Sequence, residues 1–160
     1  MNSARTYAVV ILSLFSLACE KDIKEPKDLV PKTVVENPSL PSISINGTTL
    51  HAESFGHPDS SLVVFLHGGP GSDYQSGLNA KQLASNGYRV IFYDQRGTGL
   101  SKRHEQKSYS IQLYLDDLTA VIGHYRTSSS QKVFLFGHSW GAMLAAAYIN
   151  AYPNRINGVI

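Results

Sequence analysis

Apolar positions along the chain fall into two kinds of pattern. Residues 62–66, 88–93 and 133–136 are near-continuous apolar runs rich in Val, Ile, Leu and aromatic side chains. Runs of this length without polar alternation suit strands covered on both faces, as in the middle of a parallel sheet. In residues 110–125, by contrast, Ile111, Tyr114, Leu115, Leu118, Val121, Ile122 and Tyr125 recur at helical spacing and share one face, which predicts an amphipathic helix. Shorter helical stretches are expected over 78–86, stopped by Gly87, and over 142–152. Upstream of these, residues 43–45 and 48–54 flank Asn46-Gly47. That dipeptide supplies the positive φ angles of a two-residue turn, so the segment should open the domain as an antiparallel hairpin. After the hairpin, strands and helices alternate. The expected class is α/β, with a mostly parallel sheet and right-handed crossovers.

The first residues do not belong to this pattern. Arg5 precedes an uncharged run over 6–18 that is too short to span a bilayer as a helix and reads as a secretory signal. Ser16 and Ala18 occupy the small-residue positions before a cleavage site, so a cut between Ala18 and Cys19 is expected. The run ending at Cys19 resembles a bacterial lipoprotein signal, in which the cysteine becomes the lipidated first residue. That resemblance implies export and a membrane tether, although Ser16 stands where the usual signal has Leu. Residues 20–41 carry four prolines, mixed charges and no periodic apolar face, and read as a linker. The expected organisation is a signal over 1–18, a tether over 19–41 and a folded part over 42–160.

Composition narrows the function. The chain has 160 residues, 42% of them hydrophobic, and a formal net charge of +2. This fits one globular domain. So small and scattered a basic excess predicts no nucleic-acid partner. Cys19 is the single cysteine, so no intrachain disulfide can form.

Three glycine-bearing motifs carry the chemistry. Gly137-His138-Ser139-Trp140-Gly141 follows an apolar run directly and opens a helical one, the context of a nucleophile elbow. A sharp turn there would strain Ser139 and expose its hydroxyl, and only small residues at 137 and 141 would let strand and helix pass. The helix start would also direct backbone N–H groups at a developing oxyanion, which favours acyl transfer. His67-Gly68-Gly69-Pro70-Gly71 ends the first buried run, where this architecture places the other half of an oxyanion hole. The N–H groups of Gly69 and Trp140 are therefore the candidate oxyanion donors. Asp94-Gln95-Arg96-Gly97-Thr98-Gly99-Leu100-Ser101 follows the second run, and Asp94 and Arg96 read as a charged pair that scaffolds a tight loop.

Taken in this order, the three motifs resemble the proline iminopeptidase branch of the α/β-hydrolases, over about residues 43–160. The resemblance implies an α/β-hydrolase fold, here truncated after the nucleophile helix, and a serine peptidase. Such an enzyme removes N-terminal residues, proline especially, from short peptides without metal or cofactor. It also implies a loop-shaping role for His67.

In this fold the triad runs Ser, then Asp or Glu, then His. After Ser139 the sequence holds no Asp, Glu or His. The 160 residues therefore read as an incomplete chain, nearly inactive and poorly stable when isolated. His138 is held by the turn beside Ser139 and reads as a packing residue. His51, His57, His104 and His124 read as solvated, and no histidine has a metal-ligand spacing. Two other readings stay open: an esterase or other acyl hydrolase of the same fold, and a noncatalytic binding module made by truncation.

Overall fold

The computed structural model describes residues 30–69 and 71–160. The signal, Cys19 and most of the expected tether lie outside the described residues. The hairpin forms as predicted. Strand β1 (Ser42–Ile45) pairs antiparallel with β2 (Thr48–Phe55) across Asn46 and Gly47, at φ 42° and 71°. Three buried strands follow, β3 (Ser61–Leu66), β4 (Tyr88–Tyr93) and β5 (Val133–Gly137), and a short β6 (Gly158–Val159) completes the sheet. The order is β1-β2-β4-β3-β5-β6, with β4, β3, β5 and β6 parallel and β1 and β2 antiparallel. Parallel neighbours need crossovers, and the helical segments supply them.

Side-chain alternation sorts the strand residues onto two faces. Leu62, Val64 and Leu66 of β3, Ile91 and Tyr93 of β4, and Val133 and Leu135 of β5 point to one face. There they pack against α1 (Ile111–Tyr125) and α2 (Trp140–Ala151) through Leu115, Leu118, Leu144 and Tyr148. Phe65, Val90 and Phe92 point the other way, onto Tyr74 and Ala80. Burying each of these large side chains contributes about 1.5–3 kcal/mol.

Some expectations are corrected. The helix expected over 78–86 is a series of 3₁₀ turns over Tyr74–Asn86 that begins earlier, where the Asp73 carboxylate accepts from Gln75 N–H. It ends at Gly87, φ 83°, as predicted. Its Gly77 lies so close to the Phe65 ring that a side chain there would collide with it. The tighter winding thus accompanies a glycine that lets the segment lie against the sheet. On α1, Ser110 caps the N-terminus by accepting from Leu113 N–H at 3.2 Å, but Ile111 is 51% exposed and off the buried face. The segment read as a linker is also partly folded. Thr33 and Val34 are buried, and Val34 N–H donates to Leu100 O at 2.8 Å, so ordered packing begins well before residue 42. Finally, residues 158–160 pair with β5 as a parallel strand should, yet Val159 and Ile160 remain exposed.

Candidate active site

Strands β4, β3 and β5 are adjacent and parallel, so their carboxyl ends lie side by side. The three motif loops leave from those ends and meet there, at the position where open α/β sheets place their sites.

At the end of β5, Ser139 has φ 53° and ψ −119°. It is one of two non-glycine residues with positive φ among those described. Such a conformation costs about 1–3 kcal/mol and must be held by its surroundings. Four contacts hold it. His138 N–H donates to Leu66 O at 3.1 Å, and Gly141 N–H to His138 O at 2.8 Å. A Cβ on Gly137 would stand 2.6 Å from Ala142 N, and one on Gly141 would collide with the Leu66 carbonyl. The glycines at 137 and 141 are thus required by close approach. The Ser139 side chain is exposed and makes no hydrogen bond among the described residues.

The first motif loop lies against this turn. A Cβ on Gly68 would be 3.1 Å from Ser139 Cβ and 3.0 Å from His138 Nδ1. A Cβ on Gly69, at φ 48°, would meet nothing within 4 Å beyond its chain neighbours. Neither the Gly69 N–H nor that of Trp140 has a partner among the described residues. His67 is fully buried. Gln95 backbone N–H, which can only donate, points at His67 Nε2 at 2.9 Å, so the ring proton is on Nδ1, donating to Gly68 O at 2.9 Å. Burial also holds this imidazole below its ordinary range, and it stays neutral.

Asp94, Gln95 and Arg96 are all buried, and their side chains reach different elements. The expected pairing of Asp94 with Arg96 is corrected. Asp94 Oδ2 faces His51 Nδ1 at 2.9 Å and accepts from Leu100 N–H at 2.8 Å, while its Oδ1 accepts from Tyr74 N–H at 3.0 Å. Arg96 instead forms a two-pronged bond to Asp117 of α1, 2.7 Å on each prong, and also donates to Asn46 O at 3.0 Å. The hydrogen bonds to Asp117 hold the guanidinium above its ordinary range. His51 is likewise corrected. It is 6% exposed and stacked on Tyr74 at 5.2 Å between ring centroids, because its β2 position faces Asp94 and not solvent. His104 is half-buried, 2.8 Å from Thr48 Oγ1. His57, His124 and His138 are exposed.

Sequence reasoning passed over Gln95. Its side-chain N–H donates to His67 O at 3.0 Å, and its Oε1 accepts from the Trp140 indole N–H at 2.9 Å. It also missed Tyr109 and Tyr114, which stack on each other at 6.2 Å, Tyr114 meeting Trp140 edge-on at 5.9 Å. With Trp140, Gly97 and Thr98 they line a recess of about 590 Å³ beside the elbow. Ser139 is not part of its wall.

A mixed, mainly parallel sheet with a strained serine between strand and helix and a glycine loop against it defines an α/β-hydrolase. The family model described as serine aminopeptidase, S33, matches residues 57–160, and the chain belongs to that family. Over 121 residues it is 37% identical to epoxide hydrolase B of Mycobacterium tuberculosis, covering 74% of this chain and 33% of the relative. It is 34% identical over 116 residues to a proline iminopeptidase of Arabidopsis thaliana, covering 70% and 29%. The structure of epoxide hydrolase VrEH1 from Vigna radiata superposes with a TM-score of 0.66 at 30% identity, over 74% of this chain and 36% of that one. The chain thus spans about a third of the length of these relatives.

Proposed function

We propose that the protein is a serine hydrolase of aminopeptidase type, which removes N-terminal residues from short peptides through an acyl-enzyme on Ser139. Ser139 Oγ attacks the scissile carbonyl carbon and gives its proton to a general base, and the amine leaves with a proton. Water then cleaves the ester and restores the hydroxyl. The N–H groups of Gly69 and Trp140 bind the oxyanion. The observation that carries this reading is the exposed, strained serine at φ 53°, with the N–H groups of Gly69 in the adjoining loop and of Trp140 at the start of α2 unpartnered among the described residues.

The relatives' names include epoxide hydrolases as well as peptidases, and the nucleophile's chemistry favours acyl transfer. A serine hydroxyl opening an epoxide would form an ether, which has no carbonyl for water to attack, so the enzyme would not be regenerated. An acyl-serine ester hydrolyses readily. Labelling the native-length protein with a fluorophosphonate and locating the adduct tests the nucleophile. Ser139 should carry it, and labelling elsewhere would overturn the assignment. Faster turnover of a proline arylamide than of a short acyl ester supports the peptidase, and the reverse supports an esterase. We further propose export and membrane attachment through lipidated Cys19. The intact mass from the membrane fraction should show cleavage after Ala18 and added acyl chains.

A further inference from the structure

In the loop that begins at His67, the backbone is tied by His67 Nδ1–H donating to Gly68 O at 2.9 Å and Ser72 N–H donating to Gly69 O at 3.2 Å. Gly68 and Gly69 carry no side chain, so the position of the Gly69 N–H depends also on what holds His67. Thr98 Oγ1 lies 3.1 Å from His67 Nε2, and Gln95 makes two bonds: its backbone N–H binds the imidazole at 2.9 Å and its side-chain N–H binds the His67 carbonyl at 3.0 Å. The other end of the same amide accepts from the indole of Trp140 at 2.9 Å. An indole N–H can only donate and a carbonyl can only accept, so the amide has a single orientation that satisfies both. Gln95 is 1% exposed, and its bond to the His67 carbonyl is buried, while the bond to the half-buried indole is partly so. One rigid planar group therefore spans the loop bearing Gly69 and the residue whose backbone N–H is the second oxyanion donor.

We infer that Gln95 is a positioning residue that fixes the Gly69 and Trp140 N–H groups relative to each other, so that both converge on one oxyanion at Ser139. This rests on the acyl-transfer reading above. Oxyanion donors are effective because they are oriented before charge develops, so a loosened pair should lose transition-state binding while ground-state binding is kept. Leu keeps the bulk of Gln95 but can make neither bond.

The test uses the native-length protein with Gln95→Leu, Trp140→Phe and the double variant. It measures kcat and KM on a short acyl ester and the indole N–H resonance of Trp140, assigned by its loss in Trp140→Phe. Gln95→Leu should shift that resonance and lower kcat by about tenfold to a hundredfold, with KM changed by less than about threefold. Residues acting through one network are not additive, so the double variant should be within about twofold of Gln95→Leu. A shifted resonance with unchanged kcat would overturn the inference, as would multiplicative losses in the double variant. If Gln95→Leu does not fold, Trp140→Phe decides alone: it breaks one arm, and unchanged kcat overturns the inference. A wild-type protein that never acylates Ser139 overturns the acyl-transfer reading itself, a result distinct from an active wild type indifferent to Gln95.

Discussion

Asp94, Gln95 and Arg96 are consecutive and nearly inaccessible, yet they serve two regions of different character. On the side of the hairpin and α1, the charges of Asp94 and Arg96 meet fixed partners: His51 and two backbone N–H groups for one, Asp117 and Asn46 O for the other. The one non-glycine residue at positive φ described there, Asn46, sits in the hairpin turn. On the side of the elbow, the buried groups are neutral, Gln95 and His67, and the strain sits on Ser139, whose hydroxyl makes no hydrogen bond among the described residues. Buried charges that find all their partners hold a fold together. A strained, exposed side chain braced by neutral hydrogen bonds is what a nucleophile needs.

The sharpest way to separate the two regions is to remove the hydroxyl. Ser139→Ala should lower turnover of the native-length protein by about a millionfold, while urea unfolding keeps its midpoint. Ser139→Gly should abolish reaction equally and stabilise the fold by up to about 1 kcal/mol, because glycine adopts positive φ without the Cβ penalty. A large loss of stability in Ser139→Ala would mean that the elbow is part of the scaffold after all.

The converse comes from the other region. Asp117→Ala leaves the Arg96 guanidinium buried without its carboxylate and should destabilise by about 3–5 kcal/mol, read from urea unfolding. Arg96→Met with Asp117→Leu removes both charges and should recover most of that loss. The labelling rate of Ser139 in molecules that remain folded should change little. If labelling falls in proportion to stability, the two regions are one cooperative unit.

Between them stands Gly141, where helix and strand meet. An added methyl would collide with the Leu66 carbonyl, so Gly141→Ala should cost about 1–3 kcal/mol as overpacking. It should also shift Ser139, slowing its labelling more than the loss of folded protein explains. Equal losses in both would show that the elbow tolerates displacement.

Much of this was legible in advance, and the limits are instructive. Continuous apolar runs placed β3, β4 and β5 closely, and Asn46-Gly47 placed the hairpin turn, since both signals are local. The elbow was legible because glycines at 137 and 141 are a steric requirement of a turn read from spacing alone. Gln95 was not, because its role depends on loops from two other strands arriving at the same place. His51 looked like a surface histidine for the same reason: its partner Asp94 lies 43 residues away. The 3₁₀ winding of Tyr74–Asn86 and the recess walls Tyr109 and Tyr114 also depend on tertiary contact, Phe65 against Gly77 and Trp140 against Tyr114.

The smallest expected effect sharpens the contrast through pH. Burial holds His67 below its unfolded-state value of 6.5, so well above pH 6.5 both states are neutral there and the full stability is present. As pH falls below 6.5, the unfolded chain takes up a proton that the native state refuses, and stability declines until the native imidazole also titrates. Protonated Nε2 would present a second donor to the Gln95 N–H, breaking a bond with a net value of about 0.5–1.5 kcal/mol. Denaturant midpoints between pH 7.5 and 5 should show this slope. Burial and the nearby Arg96 and Lys102 charges lower His104 too, with the same sign, so His104→Asn is the control that isolates His67. If the slope disappears with His104 and persists with His67 replaced, the pH-sensitive group belongs to the hairpin side, and the neutral character assigned to the elbow side loses its support.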